Sequence, residues 1–233
     1  MAGSKKLYCL ASLMIASLVA GAPAAESATV ELMGYGWSKK EVTVNIKAGG
    51  AITEEAIADV MAAIEDWNLV LEEIDGPFLN VVFDAHDADI IIQLKVGGGP
   101  ILGYTLVKAT KGYSCLLEKA SIHISSKAFG SKLSNAGTRN VARHELGHAL
   151  GLGHSDDAED VMFFAMPSPE VWGDQEKSIT DNDAAALDAI YPLPEFCELP
   201  ESVTTGHSTL YVAETASGNH FSGERTSPGL EDE

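Results

Sequence analysis

Hydrophobic and polar positions alternate from Val42 to Ile46, the period of two that marks a half-buried strand. From Thr53 the period lengthens. Ile57, Val60, Met61, Ile64, Trp67 and Leu71 keep helical spacing, which predicts a helix to about Ile74 with these six residues in the core. Thr53 stands where an N-cap is needed, three residues before Ala56. Glu54 and Glu55 complement the positive end of the helix dipole. Asp75-Gly76-Pro77 stops the helix. Leu79 to Phe83, Ile90 to Val96 and Ala120 to Ser125 read as further strands, with Gly97-Gly98-Gly99-Pro100 as a break. Asn135 to Thr138 leads into a second helix. A third runs from about Asp181 to Ile190, capped by Thr180 with Asp183 three residues on, and Pro192 marks its end. Beyond Pro192 the period is lost and Pro, Ser, Thr, Gly and acidic residues dominate. Residues 200–233 are therefore expected to form a flexible acidic tail, dispensable for catalysis, with His207 and His220 as solvated bystanders.

Composition narrows the class. The 233 residues are enough for one domain with extensions, and 45% hydrophobic content excludes wholesale disorder. A formal net charge of -19 argues against nucleic-acid binding and against docking on anionic membranes. A soluble monomer is expected. Residues 1–25 read as a signal peptide: Lys5 and Lys6 precede an apolar stretch from Leu7 to Gly21, and Ala22-Pro23-Ala24 has the A-x-A form. Cleavage leads to a secreted protein; retention as an anchor stays open. Cys115 and Cys197 are then an even pair in an oxidising compartment, for which a disulfide and two thiols both remain open.

The chemistry is concentrated in residues 144–154, which read H-E-x-x-H-x-x-G-x-x-H. On a helix, His144 and His148 share one face and can reach one metal ion. Glu145 is turned about 100° away and points beside the metal, where it can handle a proton of water. Gly151 can take positive φ, ending the helix and returning His154 as a third ligand. Three imidazoles with a fourth position open describe a catalytic zinc rather than a structural one.

This run resembles the metzincin metallopeptidases, and within them the matrixins. Ser155 follows the third histidine, as in matrixins. Met162 lies eight residues beyond His154, at the spacing of the matrixin Met-turn. Phe164 stands where matrixins usually have proline, while Met166 precedes Pro167, so Met166 competes with Met162 for that role. The resemblance extends over residues 34–192. Trp37-Ser38-Lys39-Lys40 is similar to the opening of a matrixin catalytic domain, and Ala88-Asp89-Ile90 to its third strand. Gly103 to Lys108 is similar to the edge strand that borders the cleft and pairs with substrate, through Tyr104, Thr105 and Leu106. His123 falls where matrixins have a structural-zinc histidine, but Ser125 replaces the nearby aspartate. His123 is accordingly read as an unliganded strand histidine. Asp89 matches a calcium-ligand position, which leaves Ca2+ open beside the single catalytic Zn2+. The interval before the domain holds no cysteine to block the metal, so activity without zymogen processing is expected.

The resemblance implies an α+β, zincin-like domain over residues 26–199. Its sheet would be twisted, mostly parallel and five-stranded, with three main helices and a cleft over the zinc helix. It implies a secreted zinc endopeptidase acting on protein or peptide by zinc-activated water, with Glu145 as base. Two alternatives stay open: a secreted zinc-binding matrix or interaction protein that retains the fold, and a zinc hydrolase of a non-protein substrate.

Overall fold

The computed structural model describes residues 30–49, 52–97, 101–110, 113–128, 130–163, 175–191, 193, 208–215 and 220–226. The expected signal peptide, Met166, Pro192 and Cys197 lie outside these residues. The chain order is β1 (Val30–Leu32), β2 (Glu41–Ala48), α1 (Glu54–Glu73), β3 (Phe78–Val81), β4 (Ile90–Lys95), β5 (Ile101–Thr110), β6 (Tyr113–Ser125), β7 (Lys127–Ala128) and β8 (Ser131–Lys132). There follow α2 (Asn135–Leu150), β9 (Leu152–Ser155), α3 (Asp181–Ile190), β10 (Ser208–Thr215) and β11 (His220–Thr226).

The principal sheet has the order β11-β10-β5-β6-β4-β2-β3. The pairings β3–β2, β2–β4 and β4–β6 are parallel, and β5 joins β6 antiparallel. These five strands and three helices are the α+β architecture expected of the sequence. Alternation explains the strands: Val42 and Val44 of β2, Ile90, Ile92 and Leu94 of β4, and Ala120, Ile122 and Ile124 of β6 are all buried.

Helix α1 begins where its cap does, with Thr53 Oγ1 accepting from Ala56 N at 3.4 Å. Val60, Ala63, Ile64, Trp67 and Leu71 form its buried stripe. Met61, expected in the core, is 41% exposed, because Ala63 and Ile64 complete the inner face and Met61 is turned off it by one residue's rotation. Trp67 is fully buried and its indole donates to Arg143 O at 2.8 Å, which fastens α1 across α2. Truncating such a side chain typically costs about 3–5 kcal/mol. Helix α2 is capped by Ser134, whose Oγ accepts from Gly137 N at 3.0 Å, so residues 135–138 are its first turn rather than a lead-in. Helix α3 carries a full capping box between Thr180 and Asp183.

Two features depart from the sequence reading. Strand β1 pairs antiparallel with β9, Val30 opposite Ser155 and Leu32 opposite Leu152. The stretch read as a flexible tail contains β10 and β11, which pair as an antiparallel hairpin, and β10 adds antiparallel to β5. Thr209-Leu210-Tyr211-Val212 has strand propensity, but it is too short to show a period, and its partner strand lies a hundred residues away. Among the described residues, no helix is long and apolar enough to cross a membrane.

Candidate metal centre

The site is built on the C-terminal half of α2. Nearly every residue from Gly137 to Leu150 is buried, including His144, Glu145 and His148. The last four carbonyls of a helix lack partners within it and need others. Here Gly151 N lies within reach of Gly147 O and His148 O. Tyr35 OH donates to His148 O (3.1 Å), Trp37 Nε1 to Ala149 O (2.8 Å) and Tyr191 OH to Leu150 O (3.0 Å). Burial pushes the phenols of Tyr35 and Tyr191 far above their ordinary range, so both stay protonated donors.

Gly151 ends the helix in the left-handed region, at φ 110°. A Cβ there would meet Tyr35 O at 2.2 Å, so both the conformation and the close approach require glycine. The chain then runs into β9, which carries His154 and is held in place by β1. At Gly153 a Cβ would meet Glu31 Cβ at 2.7 Å, which shows how closely the two strands lie.

The turn brings His154 to His144 and His148. One ligand atom of each of the three lies within 4.8 Å of the others, and among the described residues this is the one such group of three or more His, Cys, Asp or Glu. His144 Nδ1 is 2.8 Å from Val161 O, and His148 Nδ1 is 2.8 Å from Leu152 O. A carbonyl can only accept, so each Nδ1 carries the proton. In a neutral ring Nε2 then carries the lone pair a metal needs. The set therefore fits a zinc ion by donor type, convergence and tautomer. His154 is half-buried while the other two residues are enclosed, and the Nε2 atoms of all three are buried.

Met162 is fully buried, with Sδ where a Cβ on Gly147 would stand, 2.3 Å away. It thus packs against the last turn of the histidine helix. Asp183 shapes the Met162 turn. Its carboxylate accepts from Val161 N (3.0 Å), Met162 N (3.3 Å) and Thr180 N (2.9 Å). Burial raises its pKa in spite of those donors. Ser155 Oγ donates to Asp160, whose other oxygen accepts from Thr180 Oγ1 at 2.6 Å, so β9 and the start of α3 share one network.

Glu145 points at β5. Its Oε2 accepts from Thr105 Oγ1 at 2.6 Å. A Cβ at Gly103 would meet Glu145 Oε1 at 2.4 Å. Thr105, expected on the strand that borders the cleft, is buried, and its side chain faces the carboxylate. Gly103 was missed as a site residue, although a glycine inside a strand signals close approach. Tyr104, next along, stacks on His123 at 4.3 Å and 18°. Burial lowers the His123 pKa. Leu106 is half-buried further along β5.

Asp89, raised by sequence as a calcium ligand, is occupied otherwise. Lys39 Nζ lies 2.5 Å from Oδ1, and Thr43 N and Oγ1 donate to Oδ2 at 3.0 and 2.9 Å. Burial pushes the carboxyl's pKa up, but these donors together take it below its ordinary value. A lysine thus supplies the positive charge, and calcium is not supported. Cys115 is disulfide-bonded, to a partner outside the described residues.

Comparison with known protein families matches residues 36–192 to the peptidase family described as Matrixin. No curated protein matches the chain.

Proposed function

Because the chain belongs to the matrixin family of peptidases, we propose that it is a secreted zinc-dependent endopeptidase in which Glu145 is the catalytic base. The observation that carries this reading is the pairing of two features on one helix. Three histidines converge, two with their tautomers set by carbonyls, and the intervening Glu145 is turned to the neighbouring strand. His144, His148 and His154 would hold the metal. When bound there, zinc supplies Lewis acidity that polarises the scissile carbonyl and makes water a nucleophile at neutral pH.

The remaining work falls to the chain itself. Glu145 takes the proton of the attacking water and later gives it to the leaving amine. The Thr105 hydroxyl holds Oε2 and so fixes the orientation of the carboxylate. Gly103 leaves the room that Oε1 occupies. Met162, held by Asp183, supports the histidine helix from beneath. An extended peptide laid along β5, on the edge that β10 pairs with here, fits protein substrates better than small ones. The basic segment and apolar run at the N-terminus support secretion.

The test is cleavage of denatured casein by the purified chain carrying one zinc per molecule. Fragments should appear, vanish with a chelator and return with added zinc. A zinc-loaded chain that binds but never cuts casein or a panel of peptides would make this a binding protein that keeps the fold.

A further inference from the structure

Strand β5 has two hydrogen-bonding edges. One is taken by β6, with Gly103 opposite Ile124 and Lys108 opposite Lys119. The other is taken by β10, with Val212 opposite Thr105, Tyr211 opposite Leu106 and Thr209 opposite Lys108. The stretch so covered includes the residues nearest the candidate base: Ala213 stands opposite Tyr104 and Val212 opposite Thr105, whose hydroxyl touches Glu145. Each backbone N–H and C=O on that edge can pair with only one strand. A peptide aligned by β5 and the chain's own β10 therefore compete for the same groups.

We propose that the β10–β11 hairpin is a resident occupant of the substrate's strand position, so that peptide binding requires it to leave. This inference rests on the peptidase reading above. Strand β11 strengthens the block. It pairs with β10 from Ser208–Thr226 to Glu214–His220, so the free edge of the sheet belongs to β11. With strands about 4.8 Å apart, that edge lies roughly 10 Å from β5, too far to bring a peptide to Glu145. Strands β10 and β5 belong to one chain, which makes their pairing intramolecular. An intramolecular strand competes at an effective concentration of the order of millimolar. At about 10 mM, a strand of about 1 mM intrinsic affinity raises the apparent KM roughly tenfold. Competition of this form leaves kcat unchanged. The control it exerts sits in the C-terminal segment, apart from any cysteine-based block of the metal.

The experiment compares the zinc-loaded full chain with a Tyr211→Pro, Val212→Pro double variant. Proline cannot donate to a ladder, and two in succession remove a donor from each side of β10. A variant ending at Leu199 serves as the second probe. The readouts are kcat and KM on a quenched-fluorescent octapeptide, and amide exchange across Tyr104 to Lys108. The expected result is a KM lower by about tenfold, unchanged kcat, and faster exchange on β5 in both variants. Equal KM in all forms overturns the proposal, as does a fall in kcat with the thermal midpoint, which would make the hairpin part of the folded body. Cleavage by none of the forms overturns the peptidase reading, and the proposal with it.

Discussion

Gly103→Ala is the sharpest probe of the proposed base. The added Cβ would lie 2.4 Å from Glu145 Oε1, 2.8 Å from Cγ and 2.9 Å from Cδ. Ordinary carbon contacts begin near 3.4 Å, so the carboxylate must retreat by about 1 Å. Gly103 does not have positive φ, so alanine brings no backbone strain of its own. Retreat also loosens the 2.6 Å bond from Thr105. A misplacement of about 1 Å can cost 10²-fold in rate. That is about 2.7 kcal/mol in the barrier. The expected result is a fall of about 10² in kcat, with KM, zinc content and thermal midpoint close to the parent's. Kinetics on a quenched-fluorescent peptide at saturating zinc give the first two, and metal analysis and calorimetry the others. Gly49→Ala is the control, since its nearest neighbour, Leu94 O, would be 4.0 Å from the new carbon. Full kcat in Gly103→Ala, with the metal in place, would show that Glu145's position beside β5 is irrelevant to turnover.

Three further outcomes are expected. Glu145→Gln should keep stoichiometric zinc and lose at least about 10²–10⁴-fold in kcat, and near-normal cleavage would move the base elsewhere. His148→Ala should no longer retain zinc through gel filtration and should unfold at a lower temperature, because metal binding couples to folding; undiminished zinc would remove His148 from the ligand set. Hydrogen bonds from Arg143 and then Arg139 hold the Glu176 pKa below its ordinary 4.5, so its contribution to stability is full above that pH and is lost as pH falls through its lowered value. The urea midpoint of Glu176→Gln should trail the parent's at pH 7, and the gap should close as the solution is acidified below 4.5; a gap independent of pH would mean the Arg143 and Arg139 pairs are not its source.

Local signals were the legible ones. Thr53 and Thr180 cap helices because a hydroxyl three residues before an amide needs no tertiary help. The histidine spacing carried the site for a similar reason: i and i+4 share a face of any helix, and Gly151 encodes the turn that brings His154 back. The stripe of α1 was readable except at Met61, where period alone cannot say how wide the buried face is. The sequence did not disclose how Glu145 is held. Its partners, Gly103 and Thr105, lie forty residues away on a strand whose register follows from pairing with β6. The hairpin was hidden for a related reason. β10 pairs with residues some hundred positions earlier, and strand propensity in a short segment depends on the edge it meets.

The working domain starts before the family match does. The family match begins at residue 36, yet β1 ends at Leu32. That strand lies against β9, the segment carrying the third histidine, and Met33 N donates to Gly151 O at 2.9 Å at the turn itself. A helix, a glycine and four residues of strand are too little to hold His154 in one place. Such a short strand has no core of its own and owes its order to a partner. Tyr35 and Trp37, the next residues in line, satisfy the helix carbonyls immediately before that turn. Residues 30–37 therefore act together as a brace on one side of the histidine cluster, while Asp183 and α3 brace the other side through Val161, whose carbonyl orients His144. The metal-binding motif is contiguous in sequence, but its geometry depends on elements from both ends of the domain.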